Sequence, residues 1–253
     1  MSGFSMRGMA ERIARGRSFW RRLPPEFGNA PLRVSPDAAL KVLKPGHQAF
    51  DPMLLRLCDE YVKPGDVVWD IGANLGIFAL AAAQRGGDVL AIEPDGWLHA
   101  LLVRTQQHSE NQKLHLELLC AAISAEPGTA QLAIAQRGRA SNFLMDFDGR
   151  TQTGGVRQTN LVPVLTLDTL MRGHSRPSLI KIDVEGAEFS VLKGADQLLS
   201  ESRPTILIEV GDATRDDVVK LLEHANYHLS DYQLESGSGV VSMASSNLLA
   251  KPR

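Results

Sequence analysis

Short apolar runs alternate along this chain with stretches in which apolar side chains recur every three or four positions. Asp51-Pro52 opens one such stretch through Leu54, Leu55, Leu57, Tyr61 and Val62, with Asp51 placed to cap a helix and Pro52 at its first position. Lys63-Pro64-Gly65-Asp66 is a turn, and Val67-Val68-Trp69 with Ile71 is a β-rich run of the kind buried on both faces of a sheet. A glycine-punctuated bend from Gly72 to Gly76 leads into an alanine-rich helical run, Ile77 to Gln84. The rhythm then repeats, with Asp88 to Ile92 strand-like, Gly96 to His108 helical and Leu114 to Ala122 strand-like again. Strands alternating with helices require parallel βαβ units with right-handed crossovers, so the pattern predicts an α/β chain with a doubly wound, mostly parallel sheet.

Beyond residue 122 the rhythm loosens. Thr129 to Ala135 predicts an extra strand, whereas Gln136 to Asn160 is polar, aperiodic and reads as a long loop, a length usually associated with function or motion. Leu161 to Val164 is β-like, Leu165 to Met171 a short helical turn, Ser178 to Val184 a strand, Glu188 to about Leu199 a helix and Pro204 to Val210 another strand. Ala213, Val218, Val219, Leu221, Leu222 and Ala225 mark an amphipathic helix over Asp212 to Ala225. Tyr227 to Tyr232 and Ser246 to Ala250, on either side of a glycine-serine turn, predict a closing antiparallel hairpin. No internal repeat and no metal-ligand spacing is present.

Composition narrows the picture. A chain of 253 residues, 43% of them apolar, can bury one substantial core, so one catalytic domain is expected. The net charge of −2 supplies no concentrated positive field, which disfavours nucleic acid as a partner. Cys58 and Cys120 each sit in an apolar run and read as buried thiols of a reducing compartment. No run reaches the roughly eighteen apolar residues of a membrane span, and the first residues lack a secretory block, so a soluble, cytoplasmic protein is expected. At the start, Arg7, Arg12, Arg15, Arg17, Arg21 and Arg22 face only Glu11, with Phe19 and Trp20 among them. Residues 1–30 therefore read as a basic arm ahead of a catalytic domain over 31–253. Such an arm suits an anionic surface, although a solvated terminal helix without chemistry is the plainer interpretation.

The candidate chemistry lies at the predicted strand ends. Asp70-Ile71-Gly72-Ala73-Asn74-Leu75-Gly76 falls where a strand hands over to a helix, a place where glycines let a nucleoside approach the backbone and helix N–H groups face it. Asp70 suits an ammonium group and would repel a pyrophosphate. Glu93, in Ile92-Glu93-Pro94 at the end of the next strand, can accept from both hydroxyls of a ribose. Asp183 and Glu185, in Lys181-Ile182-Asp183-Val184-Glu185-Gly186-Ala187-Glu188, should face the same crevice and could serve as a base. Glu188 reads instead as a first-turn acid favoured by its helix dipole. Ser141-Asn142 could reach a ligand from the long loop, or form an ordinary turn.

Taken in order, the Asp70–Gly76 turn, Ile92-Glu93-Pro94, Thr166-Leu167-Asp168, the Ile180–Glu188 block, Val191-Leu192-Lys193-Gly194 and Ile206-Leu207-Ile208-Glu209-Val210 resemble the FkbM family of methyltransferases over about Val67 to Val210. The resemblance implies a seven-stranded Rossmann-like fold of the class I methyltransferases, S-adenosylmethionine as methyl donor, and O-methylation of a small molecule or glycan hydroxyl. By position it implies cofactor contacts from Asp70, Gly72, Asn74, Gly76 and Glu93, with the adjoining Ala73 and Pro94 in the same turns, and places Asp183 near the reaction centre. Asn74 stands where many class I enzymes carry glycine, a replacement this family tolerates. His174 and His47 are weaker candidates for a base than Asp183. Two other functions compete: a nicotinamide-dependent oxidoreductase, which the absence of Gly-x-Gly-x-x-Gly disfavours, and a non-catalytic binding protein. The acceptor and the oligomeric state are not legible.

Overall fold

A computed structural model describes residues 14–136, 138–145, 155–232 and 246–253. Five parallel strands form the heart of the main sheet: β3 (Val67–Ile71), β4 (Asp88–Ile92), β5 (Leu116–Leu119), β10 (Leu179–Ile182) and β11 (Thr205–Glu209). Two more, β12 (Tyr227–Asp231) and β13 (Asn247–Pro252), complete a seven-stranded sheet in the order β12-β13-β11-β10-β3-β4-β5. Only β13 runs antiparallel to its neighbours, so the closing hairpin inserts its second strand inside its first. Strand order reverses between β3 and β10, and in open α/β sheets that switch point opens a crevice at the carboxyl ends of the strands.

Two apolar layers cover the sheet. One packs α1 (Pro52–Tyr61) and α2 (Ile77–Gln84) on Val68, Val89, Leu179 and Leu207. The other packs Val191, Leu192, Val218 and Leu222 on Trp69, Ile71, Ile180 and Ile206. The Asp51 carboxylate caps α1 by accepting from Met53 N at 3.0 Å, and Asp95 caps α3 (Gly96–Gln106) through Trp97 N at 2.9 Å.

Several sequence expectations change. The region read as a long loop after residue 135 contains a helical turn at Arg139–Ser141, a short strand β8 (Phe143–Leu144) and the first half of β9 (Val156–Leu165). With β6 (Ala122–Ile123) and β7 (Gly128–Ala135) these strands make a second, four-stranded sheet, order β6-β9-β7-β8. Val156 to Asn160 carries polar side chains on an exposed stretch and is held straight by long-range pairing with β7, a contact that local periodicity does not encode. Residues 137 and 146–154 of that region lie outside the described residues. The run from Leu114 to Ala122 divides at Cys120, and its halves join different sheets. Cys120 is exposed, contrary to expectation, because it occupies the break, whereas Cys58 is buried under Phe78. The helix after Glu188 is shorter than expected: α4 (Glu188–Lys193) stops at Gly194, where a Cβ would lie 2.5 Å from Ser124 O, and a wide π-type turn follows at Leu198–Ser202.

The supposed arm is not separate from the domain over its described part. β1 (Phe19–Arg22) pairs antiparallel with β2 (Pro31–Val34), and Leu23, Phe27 and Ala30 belong to the main core. Arg22 grips Glu110 through two bonds, and Arg21 donates to the carbonyls of Lys44 and Gly46. Arg7, Glu11 and Arg12 lie outside the described residues. Among the described residues no helix is long and apolar enough to cross a membrane.

Candidate active site

A cavity of about 270 Å³ opens at the switch point. Its floor is the strand tips. Asp70 is fully buried next to the last residue of β3, Glu93 follows β4, and Asp183 follows β10 with 36% of its side chain exposed. Three strands delivering acids to one edge follows from parallel pairing in register, which aligns Asp70 with Lys181 and with Ala91.

The turn after β3 is shaped by backbone crowding. Gly72 has φ +77°, and a Cβ there would sit 1.9 Å from the Asp183 carbonyl, so only glycine lets the two strand tips close together. Gly72 N and Ala73 N both donate to Ile92 O, tying this turn to the end of β4. Asn74 adopts φ +52° and its amide donates to Glu93 Oε2 at 2.8 Å, while Asp95 N donates to Oε1 at 2.8 Å. Glu185 is also left-handed, at φ +48°. Non-glycine residues in that region carry strain and gather at functional sites, and both of these line the cavity.

Burial dominates the electrostatics. It pushes the Glu93 carboxyl up to about 7, against the two amides that favour its ionised form. Burial also lifts Asp70, although Lys181 pulls the other way, and Lys181 itself is held firmly protonated by Asp70 and Asp183 despite its burial. Lys181 Nζ stands 3.2 Å from Asp70 Oδ1 and 3.5 Å from Asp183 Oδ2. Asp70 Oδ2 and Asn74 Oδ1 are buried acceptors without a hydrogen-bond partner. Unsatisfied acceptors at this depth are costly, and they fit a ligand that brings donors. An ammonium and a pair of ribose hydroxyls are such donors, so the residues present fit S-adenosylmethionine.

The cavity roof comes from elsewhere in the chain. Arg139 donates through Nε to Asp37 Oδ2 at 3.0 Å and through Nη1 to Asp95 Oδ2, and its guanidinium lies over the Trp97 ring. Arg157 holds Asp37 with two bonds of 3.1 and 2.9 Å, and Asn142 donates to Asp95 Oδ2 at 2.8 Å. Burial works against the Asp37 charge, but the two arginines hold its carboxyl below the usual range. Backbone bonds from Arg139 N to Asp37 O and from Ala140 N to Ala38 O fasten the same segments.

Of the residues expected from sequence, Asp70, Gly72, Ala73, Asn74, Glu93, Pro94, Asn142, Asp183 and Glu185 line this cavity. Gly76 and Ser141 do not. Gly76 instead allows Leu102 to pack against the turn, and Ser141 ends the helical turn beside Asn142. His174 pairs with Glu117, and His47 lies in a separate groove with Trp20 and His108, so neither histidine reaches the acids. Glu188 is buried, with Oε1 accepting from Gly186 N and Oε2 from the Thr214 hydroxyl. Sequence reading missed Asp37, Asp95, Arg139 and the roles of Lys181 and Asp51. Asp95 had a usable signal, an aspartate directly ahead of a helical run. The contact between Asp37 and Arg139 spans 102 positions and had none.

The Methyltransferase FkbM domain model matches residues 70–229. Among curated proteins, the chain is 25% identical over 175 residues to the hexuronic acid methyltransferase AglP of Haloferax volcanii, covering 68% of this chain and 67% of that one. It is 35% identical over 77 residues to the ribosomal protein L11 methyltransferase of Symbiobacterium thermophilum, covering 30% and 24%. Among solved structures it is similar to the FkbM methyltransferase of Methylobacillus flagellatus, at TM-score 0.46 and 18% identity, covering 81% of this chain and 51% of that one, about half its length. The acid-bearing strand tips thus lie inside the matched region, and the chain belongs to the FkbM methyltransferase family, whose methyl donor is S-adenosylmethionine.

Proposed function

We propose that this chain transfers the methyl group of S-adenosylmethionine to a hydroxyl oxygen of a small molecule or glycan. The observation that carries the reading is the convergence of Asp70, Glu93 and Asp183, from three strand tips, on one cavity. Glu93 holds the ribose hydroxyls, fixed in direction by the amides of Asn74 and Asp95. Asp70 Oδ2 takes the ammonium of the methionyl end. Bound there, the cofactor supplies a methyl group on a positively charged sulfur, which keeps the bond electrons when the methyl leaves. Asp183, exposed to the cavity, accepts the hydroxyl proton; Glu185 stands beside it on the same wall and shapes the acceptor end. The hexuronic acid methyltransferase relative supports a sugar acceptor. A carboxylate at the end of β3 opposes a pyrophosphate, which argues against the nicotinamide alternative. The described part of the N-terminal segment, packed into the domain, leaves any contact with an anionic surface to Arg15 and Arg17 and the residues before them, a site we propose only for that surface.

Calorimetry with S-adenosylhomocysteine tests the cofactor half: binding is expected, and Glu93→Ala should weaken it about 100-fold, the value of two hydrogen bonds to a charged group. Labelled methyl transfer to free hexuronic acids tests the acceptor half. A base-stable product is an ether at a hydroxyl; a base-labile methyl ester would overturn the hydroxyl assignment.

A further inference from the structure

One row of side chains crosses the main sheet in register, Leu249, Leu207, Lys181, Asp70, Ala91 and Leu118, and faces the apolar layer under α1 and α2. In its middle the only charged members form an ion pair, with Asp70 fully buried and the Lys181 side chain 7% exposed. Packing does not ask for such a pair, since well-fitted apolar residues usually replace a buried salt bridge without loss of stability. Successive side chains of a strand alternate faces, so Asp183 returns to the face of Lys181 two residues on. The three N–H groups of Lys181 then meet three acceptors: Asp70 Oδ1 at 3.2 Å, Gly72 O at 3.4 Å and Asp183 Oδ2 at 3.5 Å.

We propose that Lys181 is a positioning residue, which anchors Oδ2 of Asp183 so that Oδ1 is presented to the acceptor hydroxyl and ties that carboxylate to the acid at the cofactor end, Asp70. The inference rests on the reading of the cavity as a methyl-transfer site and deepens it. In this role Lys181 acts through Asp183, which takes the proton at Oδ1.

Carbon-13 NMR titration of aspartate carboxyls in the cofactor-free protein tests this directly, with D183N identifying the signal. Removing an opposite charge at this distance should move the Asp183 midpoint up by about one pH unit or more in K181Q, and K181R should restore most of it. If K181Q does not fold with Asp70 left unpaired, the comparison of D70N with D70N/K181Q removes the Lys181 charge alone and carries the same expectation. An Asp183 midpoint equal in wild type and in K181Q, or in D70N and in D70N/K181Q, overturns the inference. Calorimetry on the wild type separates the two levels: no binding of S-adenosylhomocysteine there would fell the functional reading, whereas an unmoved midpoint in a protein that binds it fells only the role of Lys181.

Discussion

The floor and the roof of the cavity are built by opposite strategies. Its floor takes Asp70, Glu93 and Asp183 from the ends of adjacent parallel strands, each placed by the ladder that pairs its strand. The roof takes Arg139 and Asn142 from the turn between β7 and β8, both bonded to Asp95, and Arg139 is held from behind by Asp37, which Arg157 also grips. The first wall is positioned chiefly by strand pairing, with the Lys181 ion pairs added, and the second chiefly by side-chain charge, with two backbone bonds added. The floor should therefore fail through steric change and the roof through loss of charge.

The largest effect is expected at Gly72. An alanine there must find room for a Cβ 1.9 Å from the Asp183 carbonyl at a φ of +77°, and should cost about 4 kcal/mol or more, read as a fall in thermal midpoint. A Gly72→Ala protein with an unchanged midpoint would show that the floor is not set by backbone crowding. Next is Arg139→Ala, which takes from buried Asp95 its cation and from Asp37 one of its two arginines, and should cost about 3 kcal/mol. It should also speed dissociation of S-adenosylhomocysteine in stopped-flow measurements, since the roof is then unfastened; an unaltered rate would separate roof from site. The smallest effect concerns Glu93, whose carboxyl rises from an ordinary 4.5 to about 7 in the unloaded protein. A raised folded value means that stability present below pH 4.5 is lost as pH climbs from there to about 7, by at most about 3 kcal/mol. Cofactor affinity should run the other way, full above pH 7 and falling below it, because the hydroxyls bind the ionised carboxylate. Calorimetric affinity that stays flat from pH 5 to 8 would detach Glu93 from the ligand.

The same division decides what sequence could reveal. Floor residues sit in local patterns, Asp70 through Gly76 at a strand-to-helix bend and Asp183 after an apolar run, so the doubly wound sheet and eight of the cavity-lining residues are readable there, while the number of strands rests on the family resemblance. Roof residues depend on contacts between distant segments. Val156 to Asn160 looked like loop because its pairing partner, β7, lies about twenty positions earlier and its outer face is polar. Arg139, two positions before Ser141, is unread for the same reason: nothing local says which side chain turns inward.

Asp37 has a consequence for how the protein is divided. The matched family region starts at residue 70, yet a carboxylate that fastens the roof, and Asp51 on the cavity rim, both precede it. The unit defined by shared motifs is thus smaller than the unit that encloses the cavity. A fragment trimmed to those motifs would carry every recognisable acid and leave them facing open water.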